Sequence, residues 1–429
     1  MGIHRMSLLI RGLLICGPVV VLIAVGPRGG SASAEEDRNA ASQEVRPSAE
    51  AFLREGNLAE GERLFNKYLQ SHAADDVARL ELGMIQFVNA VERLGKDLFR
   101  YGLRPTDRAT LIALPIVRLP IPPNPDPEVL SNEEARRMLV AFIHELSRTE
   151  TTLAAIKDEN VKLRLPVGEI RLRFAPGASG SVSIREIVQQ LRIATPAAEP
   201  RFSVAWDRAD VAWLRGYCHL LSGFCEFVLA HDTRELFDHT AHIFFAKPQT
   251  PFNFLTEGRK VFDVGAGIDI VDLVAFVHLI LLPLSEPQRM KSCREHWKQM
   301  LLLSREMWRY VQLERDDDDE WIPNPRQRGA LNIRVSEEMI ASWLEFVGEA
   351  ERVLNGECLI PFWRSNDPNR GINLWKVFED PRPFDLVLWL QGTAAAPYLE
   401  QGTMTDRNVW GRLRAVFGNQ LYGFGVWFN

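Results

Sequence analysis

Apolar residues recur three and four positions apart from Ser48 onwards, which is the spacing of an amphipathic helix. The pattern breaks at Gly56-Asn57 and again at residues 73–75, so it predicts helices separated by short turns over residues 48–105. An extended connector is expected over residues 106–130, because its prolines exclude a continuous helix.

Residues 131–315 predict a helical body whose helices begin at polar caps. Ser131 opens the motif Ser-Asn-Glu-Glu, and Asp207 precedes a long apolar-rich segment. Asp232 opens a second capping motif, Asp-Thr-Arg-Glu, which predicts a new helix from about Thr233.

A strongly apolar segment of this body runs from Ile270 to Leu284. It contains Asp272, His278 and Pro283, which makes it unsuited to spanning a membrane. We expect a buried core helix here, with His278 either a buried neutral histidine or a general base activated by burial.

Residues 161–174 alternate apolar and polar positions on either side of a turn at residues 166–169, which predicts a β-hairpin. One face is apolar and the other is basic. The basic face consists of Lys162, Arg164, Arg171 and Arg173. It is either solvated or covered by acidic residues, or it binds an anionic polymer of the cell envelope.

An acidic run, Asp316–Glu320, opens a Pro-rich loop over residues 316–330. Asp316, Asp318 and Glu320 have the alternate spacing of calcium ligands. The glycine that an EF-hand loop requires is missing, which favours a solvated charge cluster.

Residues 331–429 predict an α/β portion, with a helix capped at Ser336 and strands in the segments FDLVLWLQG and LYGFGVWFN. Its six tryptophans indicate a compact aromatic core or a platform of exposed rings that binds glycans. The predicted fold class is therefore α+β, mainly α. It comprises an N-terminal helical hairpin, a helical central body with a β-hairpin, and a Trp-rich C-terminal α/β portion.

The N-terminal helices carry a further pattern. Gly56-Asn57 occupies the turn, and small or apolar residues follow at fixed positions on the next two helices: Leu64, Phe65, Leu69, Ala78, Leu82 and Gly83. Over residues 48–95 this pattern resembles a tetratricopeptide (TPR) helical hairpin. The sequence departs from that family at Gly61, where Ala is usual, and no 34-residue period continues downstream.

Residues 1–34 have the order of a secretory signal peptide: basic residues, a short apolar run at residues 12–25, and a small-residue exit ending at Ala34. The run is shorter than the roughly 20 residues of a membrane span. A polar, disordered tether is expected over residues 35–47. The sequence thus predicts export to the periplasm, the cell surface or the medium, without an integral membrane segment after cleavage.

Cleavage would remove three arginines and change the net charge from −6 to −9, which disfavours nucleic acid as a partner. Four cysteines remain, too few for a disulfide scaffold: Cys218, Cys225, Cys293 and Cys358. Cys218 and Cys225 lie about 10.5 Å apart along one predicted helix and cannot bridge each other. Other pairings stay open.

Histidines are the candidates for chemistry. On the helix from Thr233, the side chains of Glu235, Asp238, His239 and His242 share one face, and apolar residues occupy the other. This separation predicts that His239 and His242 face water. Alternatively they bind zinc or iron with Glu235 or with a third ligand from elsewhere, for which the candidates are His219, Glu226, His231, His144 and His278.

A polar stripe on the preceding helix contains Arg215, His219 and Glu226, flanked by Gly216 and Gly223. It is either a strip of surface, which the sequence favours, or the wall of a polar pocket. The glycines would let another element come close.

Residues 260–273, KVFDVGAGIDIVDL, resemble the first motif of S-adenosylmethionine-dependent methyltransferases. Asp269 stands at the third glycine position, and no second strand ending in an acidic residue follows. The pattern therefore favours a glycine loop before a core helix, with no cofactor.

Neither a nucleophile elbow nor a Walker loop occurs in the sequence. The leading hypothesis is accordingly an exported, noncatalytic helical scaffold or binding protein that engages a protein partner. The alternatives are a metal-dependent hydrolase using His239 and His242, and an envelope glycan-binding protein using C-terminal tryptophans.

Overall fold

The computed structural model describes residues 46–104, 119–177, 180–186, 203–257, 269–330, 334–418, 421 and 424–425. It is mainly helical with small antiparallel sheets, which confirms the predicted fold class. The predicted signal peptide, most of the predicted tether and residues 105–118 lie outside the described residues.

The N-terminal helices form where the pattern predicts them: α1 Ala49–Glu55, α2 Leu58–Ser71 and α3 Asp76–Arg100. Gly56 ends α1 with a φ of +70°, a conformation that glycine adopts without strain. The Asp75 side chain caps α3 by accepting a hydrogen bond from the backbone N–H of Ala78 at 2.8 Å.

The central body contains α4 Asn132–Ala154, α5 Arg208–Leu229, α6 Arg234–Phe244, α7 Phe254–Glu257, α8 Ile270–His278 and α9 Pro287–Leu313. Ser131 and Asp207 cap α4 and α5 as predicted. Asp232, which precedes α6, instead accepts a hydrogen bond from the backbone N–H of Arg234, the first residue of the helix. Thr233 makes no side-chain cap. Helices α3, α4, α5 and α9 pack in this order, each on the next.

The short strands are β1 Leu163–Leu165, β2 Arg171–Arg173, β3 Ser181–Ser183 and β4 Val204–Trp206. The predicted hairpin of β1 with β2 is wrong, since β1 pairs with β4 and β2 pairs with β3. A 3₁₀ turn at Val167–Glu169 separates β1 from β2, and each finds a different partner. The alternation is nevertheless correct, because Leu163, Leu165 and Leu172 are buried.

The remaining elements are β5 Leu281–Leu282, α10 Glu337–Leu354, β6 Ile360–Pro361, β7 Arg370–Ile372, α11 Leu374–Glu379, β8 Phe384–Asp385, α12 Leu386–Gln391, β9 Leu399–Gln401 and α13 Arg407–Phe417. Sheet pairing joins β5 to β8 and orders the others β6-β7-β9. Ser336 caps α10 as predicted.

Most of the predicted strand FDLVLWLQG is helix α12, which corrects that prediction. Asp385 caps it by accepting from Leu388 N–H at 2.8 Å, and Gly392 ends it with a φ of +106°. Of the segment LYGFGVWFN, Leu421, Phe424 and Gly425 are helical, and the rest lies outside the described residues.

Tryptophans do form cores, as predicted. Trp206 stacks on Trp321 at a centroid distance of 5.4 Å, and Trp213 packs edge-on against Trp321. The five described C-terminal tryptophans are buried or half-buried, so none of these rings presents an exposed platform: Trp343, Trp363, Trp375, Trp389 and Trp410. Burying one large apolar side chain contributes about 1.5–3 kcal/mol.

Candidate functional site

Helix α8 is the most unusual element of the surface. Seven of its nine residues are apolar, yet none is buried, and Val274 is 64% exposed. The prediction of a buried core helix is therefore wrong. Only one side of α8 packs on α6, where Phe276 meets Phe244 edge-on at 5.6 Å. The opposite side faces solvent.

Exposed apolar residues continue beyond α8. Strand β5 exposes Leu281 and pairs with β8, which leads into α12. Helix α12 contacts α8 and exposes two more apolar side chains. We name this set the α8 surface; it comprises Ile270, Val271, Val274, Val277, Leu281, Val387 and Leu388. Exposed apolar residues concentrated on contacting elements mark interaction sites.

Four carboxylates lie on elements that pack on the α8 surface or on its neighbour α6. Helix α6 carries Glu235 and Asp238, α7 carries Glu257, and β8 carries Asp385. Within the described ranges these four carboxylates have no ion pair. Helix α8 and β5 contain no lysine or arginine. The surface therefore combines an apolar centre with an uncompensated negative edge.

His242 does not face water, contrary to prediction, because α8 covers that side of α6. It is 6% exposed, and its Nε2 lies 3.1 Å from Oδ2 of Asp272 on α8. His239 packs against the ring of Phe252 instead, and Glu235 is exposed. Across the described residues, one group of three potential metal ligands lies close together, and it includes neither His239 nor His242.

The other candidate histidines are dispersed. His278, predicted to be buried, is exposed at the end of α8. His231 is buried, and its Nδ1 lies 2.8 Å from the carbonyl oxygen of Phe227. Burial lowers the pKa of His231. His144 is exposed on α4.

The polar stripe of α5 faces other helices rather than solvent, which corrects the favoured surface interpretation. Arg215 donates to Glu150 of α4 from Nε at 3.0 Å and from Nη2 at 2.9 Å. At the other end, Glu226 forms an ion pair with Arg289 of α9 at 2.8 Å. Gly223 provides space for an aromatic ring, since a Cβ there would lie 2.3 Å from Nε1 of Trp297.

Between these ion pairs, His219 meets His296 of α9 with their Nδ1 atoms 2.8 Å apart. Burial lowers the pKa of His219 to about 4, although nearby Glu150 acts in the opposite direction. Burial also lowers the pKa of His296. Two rings joined through their Nδ1 atoms need one donor and one acceptor, so at least one ring is neutral, and burial favours the neutral form of both.

A cluster of carboxylates that the sequence did not predict lies where α5 begins and α9 ends. Candidate oxygens of Asp207, Glu314 and Glu320 lie within 4.8 Å of one another, and buried Asp210 adjoins them. These residues could hold a divalent cation or retain protons. More than 100 residues separate Asp207 from Glu314, so no local spacing reveals the cluster.

Burial and mutual repulsion disfavour ionisation in this carboxylate cluster. Burial, with the charge of Asp207, raises the pKa of Glu314 to about 9 and that of Glu320 to about 7. Burial also raises the pKa values of Asp207 and Asp210. Some of these carboxyl groups are therefore protonated at neutral pH.

The acidic run covers part of the basic face of residues 161–174, as one of the two interpretations expected. Lys162 forms ion pairs with Asp316 and with Asp318, the latter at 2.8 Å, and Arg164 pairs with Asp319. Glu320 turns inward to the carboxylate cluster instead. Alternate residues of the run thus serve different contacts, and they do not form a single calcium loop.

The glycine-rich segment and the cysteines were also singled out in the sequence. Asp269 caps α8 by accepting from Val271 N–H, and residues 260–268 of the glycine-rich motif lie outside the described residues. The four cysteines expected in the mature chain are buried: Cys218, Cys225, Cys293 and Cys358.

No protein-family model, curated protein or solved structure matches this chain. In the described part of the structure, no helix is both long enough and apolar enough to cross a bilayer.

Proposed function

We propose that this protein is a noncatalytic binding protein that engages a protein partner through the α8 surface. The observation that carries this proposal is that a helix with seven apolar residues among nine exposes them to solvent. The seven side chains of the α8 surface are each about half exposed. Covering them contributes on the order of 5–10 kcal/mol before the entropic cost of association. Micromolar affinity, about 8 kcal/mol net, therefore also requires the apolar surface and the charges that the partner contributes.

The border of the surface defines the chemistry of the partner. An apolar stripe accepts the apolar face of another helix. The uncompensated carboxylates on α6, α7 and β8 favour lysine or arginine beside that face. The partner is therefore a segment that presents a basic amphipathic helix. The export that the sequence predicts would place this interaction outside the cytoplasm.

A direct test uses two synthetic 14-residue amphipathic helices, one of Leu and Lys and one of Leu and Glu. Fluorescence anisotropy of the labelled peptides measures binding to the wild-type protein. We expect micromolar affinity for the Leu/Lys peptide and at least tenfold weaker binding of the Leu/Glu peptide. Val274→Asp should weaken Leu/Lys binding at least tenfold, because it puts a charge into the apolar centre.

Leu302→Asp provides the matched control, since Leu302 is also a helical apolar residue and is 49% exposed, on α9. This variant should bind the Leu/Lys peptide as the wild type does. Equal loss in both variants, or no binding at 100 µM peptide, would contradict the proposal. Dimerisation in sedimentation velocity that disappears in Val274→Asp would assign the surface to a second copy and also overturn it.

A further inference from the structure

A groove of about 850 Å³ lies far from the α8 surface in sequence, where the last turns of α3 meet residues 124–128 and the β2–β3 pair. Four basic side chains line it: Lys96, Arg100, Arg171 and Arg173. Phe99 and Phe174 contribute aromatic surface to the same groove. Its volume is typical of sites for small ligands.

Not all of this charge is neutralised. Lys96 pairs with Glu92, and Arg100 pairs with Glu128 at 2.6 Å. In the described part of the chain, Arg171 and Arg173 have no carboxylate within ion-pair distance. Arg171 donates from Nε to the hydroxyl of Ser181 at 3.2 Å. The groove therefore retains two guanidinium groups without an ion pair. Arg171 also acts at longer range on Glu186, whose pKa it helps to lower, and Asp126, which lines the groove, pairs with Lys247.

The same segment provides an internal comparison. Lys162, just before β1, and Arg164, on β1, form ion pairs with the acidic run. Arg171 and Arg173, on β2, are not, because β2 pairs with β3 and lies against α3. Because β1 and β2 are separated, two of the four basic residues of this segment form ion pairs with the acidic run and the other two do not.

The fold also fixes the position of Arg173. Its backbone N–H donates to the buried carboxylate of Glu92 at 2.9 Å. Its guanidinium passes over the turn at Gly56, where a Cβ would lie 2.6 Å from Nε. The backbone of Arg173 is thus fixed by Glu92 and its guanidinium lies against Gly56, which reduces the freedom that it loses when it binds an anion.

We propose that this groove binds an oligoanion, a ligand with at least two sulfate, phosphate or carboxylate groups. Guanidinium groups donate paired hydrogen bonds to such planar or tetrahedral oxyanions. Arg171 and Arg173 each bind one acid group, and Phe99 contacts the scaffold that carries them. The ligand is either a free small molecule or one unit of an anionic polymer, since both present the same acid groups.

Isothermal titration calorimetry with three probes tests this proposal: tripolyphosphate, a heparin hexasaccharide and neutral maltohexaose. We expect submillimolar binding of at least one anionic probe at 50 mM salt, at least tenfold weaker binding at 500 mM salt, and none of maltohexaose. Preference for tripolyphosphate indicates a small ligand, and preference for the hexasaccharide indicates a polymer unit.

The variant Arg171→Gln/Arg173→Gln should weaken anion binding at least tenfold. Lys162→Gln/Arg164→Gln removes an equal charge from the same segment at positions already paired with Asp316, Asp318 and Asp319, and should change the affinity less than twofold. Equal effects of the two variants would indicate unspecific attraction and overturn the proposal. Absence of binding of both anions at 1 mM would overturn it as well. Circular dichroism melts of each variant establish that the fold is intact.

Discussion

Replacing Glu320 with glutamine is expected to stabilise the protein above neutral pH. Glu320 is 2% exposed and lies beside Asp207 and Glu314. Burial, followed by the charge of Asp207, raises its pKa from 4.5 to about 7. Glutamine keeps an oxygen that can accept the backbone N–H of Asp318, as Glu320 does at 3.3 Å, and carries no charge.

The sign and the magnitude follow from proton linkage. Between pH 4.5 and 7 the folded protein retains a proton that the unfolded chain releases, so stability falls as the pH rises through this interval. The full loss is present above pH 7. Raising the pKa from 4.5 to about 7 corresponds to about 3 kcal/mol. Glu320→Gln should therefore gain about 2–3 kcal/mol at pH 8 and almost nothing at pH 4.5.

Urea unfolding at pH 4.5 and pH 8, with EDTA present to exclude divalent cations, measures this difference. Trp206 and Trp321 report unfolding by fluorescence, since both are fully buried next to residues of the cluster. The control is Glu235→Gln, an exposed carboxylate whose loss should change stability by less than about 0.5 kcal/mol. A Glu320→Gln variant no more stable than the wild type at pH 8, or equally stabilised at both pH values, would refute the reasoning.

Three further outcomes are expected in urea unfolding. Burial lowers the pKa of His219 to about 4, so the wild type should lose stability as the pH falls from 6.5 to 4. His219→Asn should lose less stability over that interval. The same loss in both proteins would contradict this. Gly95→Ala should destabilise by about 1–3 kcal/mol, since its Cβ would lie 2.1 Å from Phe174; a neutral result would contradict this packing. Gly348→Ala, with nothing closer than 3.8 Å, should instead stabilise α10 by about 0.5–1 kcal/mol through helix propensity, and a loss would contradict the open space there.

Local signals in the sequence predict local structure well. Ser131, Asp207 and Ser336 cap their helices, because an N-cap depends on hydrogen bonds within one turn. The turn at Gly56 follows from a conformation that glycine adopts easily. These features need no information from distant parts of the chain.

Features that depend on distant partners were not predictable. Alternation shows which faces of β1 and β2 are buried, but it does not show that each pairs with a different strand. The helical wheel places His242 opposite the apolar face, and only the position of α8 makes that side an interior. Hydrophobicity predicted that α8 is buried in the core, and it did not show that one side of this helix faces solvent.

The sheltered state of the four thiols has a practical consequence. Burial raises the pKa of Cys218, so the native protein presents little reactive thiolate there. An alkylating or oxidising reagent modifies such a thiol mainly in molecules that have opened. The rate of labelling at Cys218 therefore measures how often α5 separates locally from its neighbours, including α9.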